Sequence, residues 1–196
     1  MKDKIEFVLA QFNAVVGDLE GNTDRIIKII EENRSYGSYK VIVFPELALC
    51  GYSPEDLLLR EDFALEIKKC IEKITRHVEN NEYLILGAPR YSENLEKIWN
   101  SAYIINNRNI KSVYDKQILP NYGVFDEKRY FSKGEKNLVF DINGNKICIM
   151  VCEDLWNIAY INNKQLCDLD FLISINASPY ENNKDLERIN FFRKVA

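Results

Sequence analysis

The sequence predicts an α/β fold built on a mixed sheet. Apolar strand runs alternate with helical patterns in the first half of the chain, whereas hairpin signals dominate later. One run, Lys146–Cys152 (KICIMVC), is apolar at every position after its first, as expected of a strand covered on both faces. The third observation is the turn chemistry: Asn143-Gly144 stands between two apolar runs and is a strong hairpin signal.

Glu6–Asn13 (EFVLAQFN) is the first predicted strand, followed by a loop through Gly17 and Gly21. Asn22 or Thr23 is positioned to cap a helix whose apolar face is Ile26, Ile27 and Ile30, ending near Tyr36–Gly37. Lys40–Phe44 (KVIVF) is a short strand stopped by Pro45. Helical periodicity returns over Asp62–Glu79, where Ile67, Cys70, Ile71, Ile74 and Val78 line one face. Tyr83–Gly87 (YLILG) is a buried strand. Ser101–Ile105 and Ile110–Tyr114 flank Asn106–Asn109, a hairpin turn. A polar, aromatic segment runs from Asp115 to Gly134. Leu138–Ile142 and Lys146–Cys152 form the second hairpin, Phe171–Ile175 (FLISI) is a further strand, and a last helical pattern occupies Asp185–Ala196.

A chain of 196 residues suits one domain with a full core. Its net charge of −4 lacks a basic block or an aromatic-basic stripe, so nucleic acid is not an expected partner. The start, MKDKIEF, has no signal-peptide core, and no apolar run reaches membrane-spanning length; a cytoplasmic protein without membrane contacts is expected. The five cysteines, Cys50, Cys70, Cys148, Cys152 and Cys167, are odd in number and scattered, which fits free thiols in a reducing compartment. Cys148 and Cys152 would lie roughly 13 Å apart along one strand face, too far to share a zinc, so no metal is expected. The only histidine, His77, falls in the polar end of a helix. A catalytic cysteine here must therefore use a carboxylate or a lysine.

Three predicted strand exits carry such groups. Glu46 follows the KVIVF strand and a proline. Lys116 follows Ile110–Tyr114, ahead of Tyr122, Phe125, Tyr130 and Phe131, which cluster around Glu127 and Arg129. That much aromatic surface suits a binding wall, with a packed lid as the alternative. Cys152 ends the third strand and is followed at once by Glu153 and Asp154. A thiol at the border of buried backbone and a polar cleft has a setting in which its reactivity can be tuned. The plainer reading is one more small buried hydrophobe.

The order Glu46, Lys116, Cys152, each at a strand end, resembles the carbon–nitrogen hydrolase (nitrilase) superfamily. The strings PELALCGYSPEDLLLR, KQILPNYGVFDEKRYF and VCEDLW are similar, more narrowly, to the glutaminase domains of glutamine-dependent NAD synthetases. The resemblance runs from the first strand to Asn176–Tyr180 (NASPY). It implies an αββα sandwich with Cys152 as nucleophile, Glu46 as general base and acid, and Lys116 stabilising the oxyanion. Because a free thiol titrates near ~8.5, a base and a cationic neighbour are both expected to support the thiolate. By the same resemblance Glu127 positions Lys116 and substrate, and Tyr122, Phe125, Glu153, Ser178 and Arg188 line a glutamine pocket. Arg188 would take the α-carboxylate and Glu153 the α-ammonium.

The family fold continues with further strands, and no ATP-pyrophosphate loop of the SGG type occurs here. The chain is thus expected to be the truncated N-terminal glutaminase part, residues 1–196, of a longer polypeptide. Its expected partners are glutamine, an NAD synthetase domain in cis or in trans, and further copies of itself in a homo-oligomer. No cofactor is expected in this chain; ATP and magnesium would belong to the synthetase domain. Two alternatives stand beside this reading: a stand-alone amidase for another small amide or nitrile, and an inactive domain that only packs against a partner. Cys50, four residues after Glu46, is expected to be a packing residue, with oxidation against Cys152 as the alternative.

Overall fold

A computed structural model describes residues 4–34, 37–158, 168–182 and 184–195. Five strands form one sheet in the order β1 (Ile5–Leu9), β2 (Tyr39–Val43), β3 (Glu82–Tyr91), β4 (Ile98–Asn106) and β5 (Asn109–Asp115). The first three are parallel, as helical crossovers require, and β3 to β5 are antiparallel, joined by short turns. A second sheet holds β6 (Leu138–Ile142), β7 (Asn145–Val151) and β8 (Phe171–Ile175), with β7 in the middle, antiparallel to β6 and parallel to β8. Both predicted hairpin turns use left-handed residues: Asn107 and Arg108 in one, Asn143 and Gly144 in the other.

The two sheets pack face to face. Val41, Val43, Ile85 and Ile104 of the larger sheet meet Ile147, Ile149 and Val151 of β7. The opposite face of the larger sheet packs on α1 (Leu19–Glu32) and α2 (Glu61–Thr75) through Ile26, Ile30, Ile67 and Ile74. On the outer side of the smaller sheet, Cys148 and Met150 meet Phe191 and Phe192 of α5 (Lys184–Val195). The layers are therefore α, β, β, α. The alternation in KICIMV is resolved by this stacking: odd positions face the other sheet and even positions face the helix layer.

Several boundaries differ from the sequence reading. Helix α1 starts at Leu19, where the Asp18 carboxylate accepts the Gly21 N–H at 2.9 Å. Asn22 and Thr23 are not caps but buried helix residues. Asn22 spends its amide on other loops, donating to Val15 O (2.7 Å) and Leu49 O (3.1 Å). The helix ends at Glu32, before the expected Tyr36–Gly37. Helix α2 ends at Thr75 rather than Glu79: tightened turns, His77 N–H to Ile74 O and Val78 N–H to Thr75 O, swing the chain toward β3 while Val78 stays buried. The apolar periodicity therefore outlasts the helix. Strands β3 and β4 are longer than predicted because their polar ends still pair, Pro89 with Asn100 and Tyr91 with Ile98. The first strand is shorter, ending at Leu9.

Two short elements near the site were not anticipated: α3 (Glu127–Tyr130), inside the aromatic segment, and α4 (Glu153–Trp156), directly after β7. Cys50, Cys70, Cys148 and Cys152 are free and buried, and Cys167 lies outside the described residues. Cys50 packs among the α1/α2 layer, on the opposite side of the larger sheet from Cys152. That makes it a packing residue and removes it as a partner for Cys152. No helix among the described residues is long and apolar enough to cross a membrane.

Candidate active site

Strands β2, β5, β7 and β8 all deliver their C-terminal ends to one region, and antiparallel β4 brings its beginning there. The loop after β2 carries Glu46, the exit of β5 carries Lys116, the exit of β7 carries Cys152, and the residues after β8 carry Ala177 and Ser178. Parallel strands that share an end place residues distant in sequence side by side.

Glu46, Lys116 and Glu127 are all buried and share one ammonium. The Lys116 Nζ donates to Glu46 Oε1 and to Glu127 Oε1, both at 2.8 Å. Asn100 Nδ2 also donates to Glu46 Oε1 (2.7 Å), and Ala177 N–H donates to Oε2 (3.0 Å). Glu46 Oε1 is thus occupied twice, while Oε2 keeps capacity for a further proton. Tyr52 donates its hydroxyl to Glu127 Oε1 at 3.0 Å. Glu127 Oε2 and Asn100 Oδ1 are buried without a hydrogen-bond partner.

Burial opposes the charge on Lys116, yet Glu46 and Glu127 outweigh it and hold the ammonium above its ordinary pKa. Burial and, less strongly, Glu46 raise Glu127 to about 7 against the opposing pull of Lys116. Two carboxylates and one ammonium leave the cluster with one negative charge too many for a dry site, so a proton on Glu127 relieves it.

Cys152 occupies a tight strand-to-helix turn. Its backbone lies at φ 47°, ψ −100°, a conformation that costs a non-glycine residue on the order of 1–3 kcal/mol. The Cys152 N–H is held by Ile175 O at 2.9 Å, and the turn aims the side chain out of the sheet toward the cleft. The neighbouring Glu153 N–H opens α4, where a helix has no internal acceptor. Burial, with a contribution from Glu46, pushes the Cys152 thiol up to about 12, while Lys116 and the contact with Ser178 Oγ (3.5 Å) pull the other way. The expected help from Lys116 is present but smaller than the burial effect. The resting group is a thiol, and it needs a base.

A cleft of about 350 Å³ opens over Cys152. It brings together all five residues expected to bind substrate, Tyr122, Phe125, Glu153, Ser178 and Arg188. Glu153 is fixed by Tyr122 OH (2.9 Å to Oε2) and Asn157 Nδ2 (3.1 Å to Oε1). Phe125 meets Tyr122 and Tyr52 edge-on, at 5.5 and 6.2 Å between ring centroids. Glu46, Lys116 and Glu127 are buried, outside the lining of the cleft. A larger cavity of about 620 Å³ lies against the outer face of β8 and α5; it contains none of the predicted site residues.

Sequence reading missed Asn100, Tyr52 and Asp154 around the cluster, and Trp156, Asn157, Glu181 and Lys184 in the cleft wall. Asn100 and Tyr52 sit in strand and loop contexts that give no signal, since only folding brings them to Glu46 and Glu127. Asp154 did carry a signal. An acid on the first turn after a buried strand, beside a second acid, was visible; which of the two turns inward was not.

The Carbon-nitrogen hydrolase family description matches residues 9–185. The glutamine-dependent NAD(+) synthetase of Aquifex aeolicus is 38% identical over 194 residues, 98% of this chain and 33% of that protein. The synthetase of the same name from Thermotoga maritima is 37% identical over 195 residues, again 98% of this chain and 33% of the relative. This chain therefore spans about a third of the length of these curated relatives. Among solved structures, the glutamine-dependent NAD+ synthetase of Acinetobacter baumannii superposes with a TM-score of 0.89 at 33% identity, covering 96% of this chain and 35% of that one. An amidase from Nesterenkonia sp. shares the fold at a TM-score of 0.77 and 19% identity, covering 94% of this chain and 69% of its own. With nearly the whole sequence matched and the same layers found in solved relatives, the chain belongs to the carbon-nitrogen hydrolase family.

Proposed function

We propose that this hydrolase releases ammonia from the side-chain amide of glutamine, for an NAD-forming synthetase domain outside this sequence. The observation that carries the reading is the shared Lys116 ammonium, 2.8 Å from both Glu46 and Glu127, beside a cleft lined by Cys152. The names of the most similar relatives point to glutamine, and so does the charge of the cleft. Glu153 offers a fixed carboxylate for an α-ammonium, and Arg188 offers a forked cation for an α-carboxylate.

In this mechanism Glu46 takes the Cys152 proton on Oε2 as sulfur attacks the amide carbon. The resulting oxyanion lies against Lys116 and the Glu153 N–H, contacts each worth ~2.7–4 kcal/mol in comparable sites. Glu46 then returns the proton to the departing nitrogen, so that ammonia leaves and a thioester forms. Water, deprotonated by Glu46, attacks the thioester carbon; glutamate leaves and the thiol is restored. Asn100 and Ala177 hold the Glu46 carboxylate through both proton transfers.

Turnover of glutamine to glutamate and ammonia, followed by coupled assay, is the test. Cys152→Ala is expected to abolish it. Equal or faster turnover of aliphatic amides than of glutamine would instead assign the cleft to a general amidase.

A further inference from the structure

Asp154 is fully buried, and among the described residues no lysine, arginine or histidine is bonded to it. Four donors satisfy it instead. Its Oδ1 accepts the backbone N–H groups of Gln117 (3.0 Å) and Ile118 (2.7 Å); its Oδ2 accepts the Tyr114 hydroxyl (2.8 Å) and the Val151 N–H (3.3 Å). A carboxylate buried with no cation bonded to it is costly; these four hydrogen bonds and the charge of nearby Lys116 are what offset that cost here. Burial raises it to about 6, against the pull of those hydrogen bonds and of the Lys116 charge.

The donors come from two places that matter to the chemistry. Tyr114, Gln117 and Ile118 flank Lys116 on both sides, and Val151 immediately precedes Cys152. Backbone bonds tie Lys116 to Asn100 O (2.8 Å) and Cys152 to Ile175 O (2.9 Å), each within its own sheet. Asp154 bridges the sheets. We propose that Asp154 is a positioning residue that fixes the Lys116 arm relative to the Cys152 turn, so that ammonium and sulfur stay in reacting register. It touches neither substrate nor the reacting atoms. Part of this rests on the glutaminase reading, because only turnover reports the register of the reacting groups.

The test is Asp154→Asn, which keeps the size but turns one accepting oxygen into a donor facing other donors. A misplacement of an ångström in such a site costs about 100-fold in rate. The expected result is a kcat for glutamine lowered about 10- to 100-fold, with KM changed less than about threefold. Iodoacetamide alkylation of Cys152, followed by mass spectrometry from pH 7 to 10 well below the melting temperature, is expected to slow at every pH, because a displaced ammonium supports less thiolate. A residue that only supports the fold would lower the melting temperature and leave the alkylation profile in place; that result overturns the proposal, as does an unchanged kcat. If Asp154→Asn does not fold, Tyr114→Phe decides, since it removes one bond to Asp154, and Gln117 Nε2, which loses the Tyr114 oxygen, keeps its bond to Asn137 Oδ1 (2.7 Å). It is expected to lower kcat and slow the alkylation in the same way, and wild-type values would sink the idea. A wild-type chain that turns over no glutamine fails the functional reading, while the alkylation arm still decides the role of Asp154.

Discussion

A single ammonium holding two buried carboxylates gives this candidate site a paired acid and base without a histidine. Lys116 is charged because Glu46 and Glu127 surround it, and both tolerate burial because Lys116 is there. The site is therefore a unit, and Glu127 is where its pH dependence shows. Its folded pKa, about 7, lies above the ordinary value of 4.5. A raised acid favours the folded state most below the unfolded value, and that contribution is lost as pH rises through the folded one. Wild-type stability should therefore fall relative to Glu127→Gln between about pH 4.5 and 7, by an amount on the order of a few kcal/mol, and level off above. Melting temperatures of both proteins across that window check it; parallel curves would show that Glu127 is not the titrating group.

At the scale of elements, the site depends on where strands stop. The loop carrying Glu46 passes directly over β3 at Gly87, where a Cβ would come within 2.7 Å of Glu46 Cα and also strike Pro45 O and Leu47 N. These are backbone atoms and no rotamer relieves them. Gly87→Ala should cost about 1–3 kcal/mol, as overpacking does, and should shift Glu46 away from Lys116. Denaturant melts and glutamine kinetics together test this, with kcat expected to fall more than stability alone explains. The α4 turn shows the same dependence. The strand had the two-faced apolar pattern in the sequence, but the left-handed conformation at Cys152 arises where β7 must turn into a helix.

For the whole molecule, the cluster exists because two sheets are pressed together. Glu46 and Lys116 belong to one sheet, Cys152 and Ala177 to the other, and the Ile147, Ile149 and Val151 face sets their spacing. Ile149 is fully buried at that interface. Ile149→Ala should destabilise the protein by about 2–5 kcal/mol through lost burial and the cavity left behind. It should also lower glutamine turnover at temperatures where the variant is still folded. Urea denaturation measures the first and steady-state rates the second; a destabilised variant with wild-type kcat would mean that the sheets can shift without moving the site.

Much of this was legible in the chain itself. Periodicity located the helices and strands, Asn-Gly and Asn-Arg marked the turns, and the lack of a usable histidine directed attention to Glu46, Lys116 and Cys152. Those signals are local, since they depend on residues a few positions apart. The choice of Asp154 over Glu153 to turn inward and the meeting of Asn100 and Tyr52 with the carboxylates depend on contacts between residues 31 to 75 positions apart. The protonated state of Cys152 likewise follows from burial, which no residue carries by itself. Local pattern was enough for the long helices and strands and for the candidates Glu46, Lys116 and Cys152; their charge states and register came only with packing, because both depend on what the other sheet brings within hydrogen-bonding distance.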